Sequence, residues 1–245
     1  MTERGNSREA RQTRSSAAYA QIKERIIGLQ MPPGSSFSES TLAEALSIGK
    51  TPVREALVRL ELEGMVEVAP RSGYRVAPVT LKDARDLLGL RALLEGEAAR
   101  LAAERADDAS SLNALEQLCR ASYDPNDENS IRRFLHANTR FHATIAEVGA
   151  NQRLAETLHR VLEQLERLFH LGLALSSRAD EIVHEHRELL EAILRGDQSG
   201  AREIAIAQCR TSQQMVMQAL LSSEALSNTN VMVPGAMARG STSGR

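Results

Sequence analysis

The fold of this chain is decided by residues 49–64, with the sequence GKTPVREALVRLELEG. Apolar side chains recur there at the spacing of one helix face, at Val53, Ala56, Leu57 and Leu60. Thr51 is expected to cap this helix, Pro52 to occupy its first position, and Gly64 to end it. The stretch therefore predicts an amphipathic helix whose polar face is free to bind another molecule.

Short elements flank this helix on both sides. Residues 39–46 form a shorter helix, and residues 47–50 make a tight turn between the two helices. Residues 65–69 and 74–77 alternate like strands around a turn at residues 70–73. The order of helix, turn, helix and hairpin predicts a winged helix-turn-helix, which is a DNA-binding unit.

In such a unit the first residues of the second helix reach base edges and phosphates in the major groove of DNA. Here these residues are Lys50, Thr51 and Arg54. Periodicity alone is equally compatible with a capped helix in an unrelated helical domain. The turn before the helix and the hairpin after it favour DNA binding.

Residues 17–79 resemble the winged helix-turn-helix domain of the GntR family of bacterial transcription regulators, and the run T-P-V-R-E-A-L from Thr51 matches that family specifically. The DNA-binding residues that this resemblance implies are Lys50, Thr51, Arg54, Ser40 and, at the wing tip, Arg71, Ser72 and Gly73. Two positions depart from the family pattern: Gly49-Lys50 replaces the usual Ser-Arg, and Ser40 replaces an arginine. Lysine cannot make the two-pronged contact of arginine to guanine, so the operator sequence is not implied.

Length and composition limit the number of domains and the class of protein that this chain can form. With 245 residues, 42% of them apolar, the chain can form two domains, and 3% aromatic residues favour helices packed through Leu and Ala. The net charge of −2 argues against a generally basic, nucleic-acid-coating surface. Cys119 and Cys209 form no disulfide framework, the chain has no apolar run of bilayer length, and its N-terminus lacks the apolar centre of a signal peptide. These features predict a cytoplasmic protein without a membrane partner.

The predicted organisation is mainly α, with a winged helix-turn-helix at the N-terminus and an all-α bundle at the C-terminus. Residues 1–16 are expected to form a flexible arm, whose arginines either contact DNA or are simply disordered. Residues 17–79 form the DNA-binding domain and residues 80–225 the helical domain, and Thr80 with Asp83 resembles a capping box between them. Residues 226–245, rich in Ser, Gly, Asn and Thr, are expected to be a disordered tail.

Polar side chains interrupt the apolar stripes of the predicted bundle. They are Arg91, Glu95, Asn138, His142, His186 and Gln208. Taken singly, each histidine is compatible with a hydrogen-bonded core residue, and Arg91 with Glu95 is compatible with an ordinary i,i+4 ion pair. Because buried polar groups need partners, their recurrence on several helices predicts a polar cavity.

Residues 80–225 resemble the FCD class of GntR regulators, through Leu90-Arg91 to Glu95, Asn138-Thr139-Arg140-Phe141-His142, Gly149-Ala150-Asn151 and the run from His186 to Ile193. The resemblance implies a divalent metal, zinc, nickel or manganese, at Asn138, His142 and His186, with Gln208 at the position of a third histidine. It also implies an effector site formed by Arg91, Glu95, Asn138 and Gln208, in which Arg91 engages a carboxylate. Transition metals favour the Gln208 oxygen less than imidazole.

Two functions follow from these features. The first is a ligand-responsive transcription regulator, either repressor or activator, that binds a pseudo-palindromic operator as a homodimer and is controlled by a small organic or sugar acid. The alternative is a small helical metal-dependent hydrolase with His142 and His186 as ligands and Glu95 as general base. The chain has no H-E-x-x-H motif, no activated nucleophile arrangement and no phosphate loop, and we therefore expect no enzyme activity.

Overall fold

The structure is a computed structural model that describes residues 3–70, 73–105, 109–175 and 178–221. The elements of its N-terminal domain are α1 (Glu3–Ile27), β1 (Ser36–Phe37), α2 (Glu39–Leu46), α3 (Lys50–Leu62), β2 (Val66–Ala69) and β3 (Gly73–Val76). Those of its C-terminal domain are α4 (Leu81–Glu104), α5 (Ala109–Leu118), α6 (Glu128–Val148), α7 (Gln152–Leu175), α8 (Ala179–Leu194) and α9 (Gln198–Leu221). The predicted winged helix-turn-helix followed by an all-α bundle is confirmed.

The start of α3 differs from the prediction. Its N-cap is Gly49, which offers no side chain, and Lys50 is its first residue. The expectation that Thr51 caps the helix and that Pro52 occupies its first position is therefore wrong, because both lie further into the first turn. Proline is tolerated there because the first turn of a helix leaves its N–H groups without intrahelical partners.

The end of α3 matches the prediction. Gly64 has φ of 71°, a left-handed conformation that glycine adopts without a steric penalty. Its N–H donates to Glu61 O at 3.0 Å, and the N–H of Met65 donates to Leu60 O at 2.9 Å. This pair of hydrogen bonds is a Schellman motif, which satisfies the last carbonyls of the helix and turns the chain towards β2.

The core of the N-terminal domain is formed by the apolar stripe of α3. Its four side chains, Val53, Ala56, Leu57 and Leu60, are fully buried. They pack against α1 through Ala18, Ile22 and Ile26, and against α2 through Leu42, Ala43 and Leu46. The buried stripe fixes the rotation of α3 about its axis, so its polar face must point away from the domain.

The hairpin after α3 belongs to a three-stranded sheet with the order β1-β3-β2. Both pairings are antiparallel, with Val66 opposite Val76 and Phe37 opposite Tyr74. The sequence predicted β2 and β3 but not β1, because a two-residue strand is too short to show alternation. β1 adds an outer strand to the wing and stacks Phe37 on Tyr74, with the ring centroids 6.2 Å apart.

A capping box joins the two domains as predicted, since Thr80 accepts from the N–H of Asp83 and the Asp83 carboxylate accepts from the N–H of Thr80. In the bundle, α4 lies against α9 at Gly96, where an added Cβ would stand 2.8 Å from Ile206 Cγ1. The absence of a side chain at Gly96 thus lets the two helices approach closely. This approach brings the polar residues of α4 near those of α9.

The ends of the chain need one correction. The first helix begins at Glu3, so residues 3–16, expected to belong to a flexible arm, continue α1. Arg, Gln, Glu and Ala favour helix, and this preference extends the helix beyond its apolar stripe. Leu29 follows the end of this helix and has φ of 57°. The tail predicted for residues 226–245 lies outside the described residues.

Candidate functional site: an exposed helix start and a buried polar pocket

The first turn of α3 is exposed, as the sequence predicted. Lys50, Thr51 and Arg54 lie at the surface, and the Arg54 side chain is 65% exposed. The Arg54 guanidinium is held by the Glu39 carboxylate at the start of α2, with Nη2 to Oε2 at 2.7 Å and Nε to Oε1 at 3.0 Å. This contact orients Arg54 while leaving it accessible to a large partner.

Two of the other predicted DNA-binding residues, Ser40 and Gly73, lie on α2 and at the start of β3. Ser40 is exposed on α2. Gly73 begins β3 with φ of 91°, and a Cβ there would lie 2.9 Å from Phe37 O, so this position accepts only glycine without rearrangement. Arg71 and Ser72 lie outside the described residues. Ser40 and the first turn of α3 thus belong to exposed parts of the helix-turn-helix.

A pocket inside the bundle collects five of the six polar residues predicted to converge. It is lined by side chains from α4, α6, α7, α8 and α9, including Arg91, Asn138, His142, Phe169, His186 and Gln208. Glu95, the sixth residue, is buried beside His142 rather than in the pocket wall. The predicted polar cavity is therefore present, and Glu95 lies beneath its wall, in contact with His142.

The centre of the pocket is a connected set of three side chains. The Arg91 guanidinium donates through Nε to Glu95 Oε1 at 2.5 Å. The other carboxylate oxygen, Glu95 Oε2, lies 3.0 Å from His142 Nδ1. Arg91 Nη2 lies 3.2 Å from His142 Nε2. Because Arg91 only donates, this geometry places a proton on Nδ1 of His142 and a lone pair on Nε2.

Glu95 is the negative charge on which this set depends. Burial by itself would raise the pKa of the Glu95 carboxyl, but Arg91 and His142 together hold that pKa well below its usual range. The Cys209 thiol also donates to Glu95 Oε2, at 3.3 Å, and burial raises the pKa of that thiol. The carboxylate therefore stays charged and neutralises Arg91 in a site where an unpaired cation would be costly.

Two buried atoms in the lining residues have no protein partner. One is His186 Nδ1 and the other is Gln208 Oε1, whose amide nitrogen donates to Glu185 O. Burial, reinforced by the neighbouring His142, depresses the pKa of His186 well below its ordinary value, which favours the neutral ring. A buried polar atom without a partner costs free energy, so both atoms would gain from a bound polar ligand or water.

The pocket is small in this structure. The free space between its lining side chains is about 30 Å³, enough for very few water molecules. Phe169 forms part of the pocket wall, and Cζ of the Arg91 guanidinium lies over its ring, 5.0 Å from the ring centroid. An organic acid would need more room than this, so binding one would require the lining side chains to move outwards.

The lining residues offer few of the donors that a tightly held transition metal prefers. His142 and His186 offer two imidazole nitrogens, and Asn138 and Gln208 offer amide oxygens. Among the described residues, no group of three or more His, Cys, Asp or Glu side chains is placed to hold a metal ion. Glu185 also lines the pocket but is paired with Arg178 at 2.8 Å. His142 Nε2, the nitrogen that would face a cation, already accepts from Arg91.

Sequence reasoning missed three residues that support these sites. Glu39 orients Arg54, Cys209 donates to Glu95, and Glu185 accepts from the Gln208 amide. Cys209 follows Gln208 directly, and this adjacency was a usable signal because both residues interrupt the same region of α9. Glu39 gave no signal, since its partner is fifteen residues away and on another helix.

Comparison with known proteins covers both domains. Residues 86–210 match the FCD domain, and residues 14–76 match the gntR family of bacterial regulatory proteins. The HTH-type transcriptional repressor GlaR of Escherichia coli is 30% identical over 223 residues, covering 82% of this chain and 95% of GlaR. YdhC of Bacillus subtilis, an uncharacterized HTH-type transcriptional regulator, is 26% identical over 192 residues, 77% of this chain and 84% of its own.

Solved structures show the same fold. E. coli McbR/YncC superimposes with a TM-score of 0.69 at 24% sequence identity, covering 84% of this chain and 97% of that one.

In the described part of the chain, no helix is both long and apolar enough to cross a membrane.

Proposed function

Because this chain belongs to the GntR family of bacterial regulatory proteins and carries an FCD domain, we propose that it is a transcription regulator whose α3 binds operator DNA under the control of a small carboxylate in the bundle. That it is a transcriptional regulator and not an enzyme follows from the family. The finer proposal is carried by one observation, which is that the positively charged first turn of α3 is exposed while its apolar stripe is fully buried.

We propose that α3 enters the major groove with Lys50, Thr51 and Arg54 leading. The wing would lie along the neighbouring backbone, and Arg54 would exchange part of its contact with Glu39 for a phosphate or a base edge. One short helix reaches too few base pairs for specificity, so a homodimer would place two copies in successive major grooves, roughly 34 Å apart, on a pseudo-palindromic operator. Since a relative of 30% identity is named a repressor, repression is the proposed sign of regulation.

We propose that the effector is a small organic or sugar acid held by Arg91. A carboxylate entering the pocket would take the place of His142 Nε2 as the acceptor for Arg91 Nη2, and charge-assisted hydrogen bonds are stronger than neutral ones. Asn138 and the unpaired Gln208 oxygen would then accept from hydroxyl groups of the acid. Effector binding would alter DNA affinity to the extent that it favours one arrangement of the two domains.

The divalent metal implied by the sequence resemblance is not part of this proposal. The neutral donor set supports a pocket that works through hydrogen bonds and Arg91 alone, and no step of the proposal depends on zinc, nickel or manganese. Elemental analysis of protein purified without chelators is expected to find substoichiometric metal. One equivalent of metal that disappears in His142→Ala would instead establish a metal site at His142 and His186.

DNA binding is tested with a duplex taken from upstream of the protein's own gene. Wild-type protein is expected to bind it with an affinity that falls as salt rises, because phosphate contacts release counterions. Arg54→Ala should weaken binding by about 1–3 kcal/mol, the usual loss for a base or phosphate contact by arginine. Arg153→Ala is the control, since this arginine is exposed on α7, away from α3. Equal loss in both variants, or no binding by wild type, would contradict the proposed role of α3.

A further inference from the structure

The C-terminal end of α3 is held by a side chain of the other domain. Gln164, on α7, donates through Nε2 to the backbone oxygen of Glu63 at 2.9 Å. Glu63 is the C-cap residue of α3, so this oxygen belongs to the helix end that has no intrahelical donor. The bundle thus completes the hydrogen bonding of the helix that carries Lys50 and Arg54.

A shared lysine reinforces this contact. Lys23 of α1 lies with Nζ 2.6 Å from Glu163 Oε1 on α7 and 3.1 Å from Glu63 Oε2 at the end of α3. The Tyr19 hydroxyl accepts from Lys23 Nζ at 2.6 Å and donates to Glu63 Oε2 at 2.7 Å. Lys23 is only 8% exposed, so its charge is balanced by one carboxylate from each domain rather than by solvent.

The same face of α7 also holds the linker between the domains. Arg167 donates through Nη1 to the backbone oxygen of Ala77 at 3.0 Å. Arg167 lies four residues after Glu163 and three after Gln164, so it neighbours both on the surface of α7. Phe169 and Leu173, less than three turns further along α7, line the buried pocket. One helix therefore contacts the pocket at one end and both α3 and the linker in its middle.

We propose that Gln164 and the Glu163–Lys23 pair are positioning residues for DNA recognition, through which α7 fixes the orientation of α3 relative to the pocket. This inference rests on the proposed function. A displacement of α7 of about 1 Å would stretch these contacts beyond good hydrogen-bond length, because hydrogen bonds weaken steeply outside their narrow range of distances. If these contacts are made in one domain arrangement and broken in another, they transmit a difference in affinity between the pocket and α3.

Hydrogen exchange on the full chain, with and without the upstream duplex, tests the proposal without an identified effector. Linkage is reciprocal, so DNA binding at α3 must alter α7 if α7 controls α3. In wild type we expect DNA to change amide exchange in residues 165–175 by about fivefold or more, the low end of typical coupling. In Gln164→Glu, which keeps the shape but removes the donor, the change should fall below about twofold, while DNA is still bound.

Controls separate positioning from simple destabilisation. Lys23→Gln should give the same loss as Gln164→Glu, and Lys23→Arg, which keeps the charge, should restore part of the response. Gln152 is an exposed residue of α7 whose side chain donates to Glu156 on the same helix. In Gln152→Ala the change in amide exchange on DNA binding should equal that of wild type. A wild-type change confined to residues 17–79, or an undiminished change in Gln164→Glu, would overturn the inference. Absence of DNA binding by wild type would instead overturn the proposed function.

Discussion

Glu95 Oε2 lies 3.0 Å from His142 Nδ1, and this contact decides which nitrogen of the histidine ring faces the pocket. The Glu95 carboxylate accepts a hydrogen bond from the protonated Nδ1, so the lone pair of Nε2 faces Arg91. Glu95 therefore does not need to touch a ligand in order to shape the site. It sets the tautomer of His142 and supplies the counter-charge of Arg91.

Removing the charge of Glu95 should destabilise the bundle. Arg91 is only 2% exposed, and Glu95→Gln would leave it without its carboxylate partner; breaking such a buried pair typically costs about 3–5 kcal/mol. Urea unfolding followed by circular dichroism measures this loss. Glu97→Gln is the matched control on the same helix, since its partners Arg100 and Arg202 are partly exposed and such pairs contribute about 1 kcal/mol or less. Similar losses in both variants would mean that Glu95 is not the buried counter-ion described.

Two glycines should respond in opposite directions to alanine. Gly64 has φ of 71° at the end of α3, so Gly64→Ala should destabilise the protein by about 1–2 kcal/mol. Gly89 is exposed in the middle of α4, and an added Cβ there meets no atom within 4 Å. Gly89→Ala should therefore stabilise the protein by about 0.5–1 kcal/mol through helix propensity. Urea midpoints compare the two variants, and a stabilising Gly64→Ala would be inconsistent with the Schellman motif.

The stability of the domain junction should depend on pH through Glu166 of α7. Burial and then the neighbouring Glu163 raise the pKa of Glu166 from 4.5 to about 7. Lys23, Thr139 and His159 also face this carboxyl and partly oppose the rise in its pKa. Between these two pH values the folded protein keeps a proton that the unfolded chain releases, so stability falls as the pH rises.

Comparison with Glu166→Gln isolates this effect, because glutamine does not titrate. The free energy of unfolding of wild type, relative to the variant, should decline from pH 4.5 to about pH 7 and stay constant above that. Thermal or urea unfolding at several pH values provides the measurement. A difference that is flat across this window, or that grows with pH, would rule out a raised pKa at Glu166.

The sequence predicted most of what short-range rules determine. The stripe of Val53, Ala56, Leu57 and Leu60, the helix end at Gly64 and the capping box at Thr80 all depend on neighbouring residues, and all three are confirmed. The cap proposed for Thr51 was wrong because Gly49 can also begin a helix, and spacing does not distinguish the two starts. The strand β1 was missed because its hydrogen bonds come from β3, distant in sequence.

The sequence predicted which residues form the pocket but not which hydrogen-bond partners they take. Polar residues on apolar stripes identified Arg91, His142 and His186, because a buried polar group needs a partner wherever it lies. Which partner each one takes depends on the relative rotation of five helices, and periodicity does not give that rotation. This tertiary arrangement places Glu95 against His142 Nδ1. It also lets Gln164 donate to the backbone oxygen of Glu63 at the end of α3.

The most direct test is a fluorescence anisotropy titration of the upstream duplex, carried out with and without each member of a panel of small organic and sugar acids. We expect at least one acid to change the DNA affinity of wild type by about fivefold or more, as in typical coupled binding. The same acid should have no effect on Arg91→Gln, although that variant still binds the duplex. An acid that shifts the DNA affinity of Arg91→Gln as much as that of wild type would contradict control of α3 through the buried pocket.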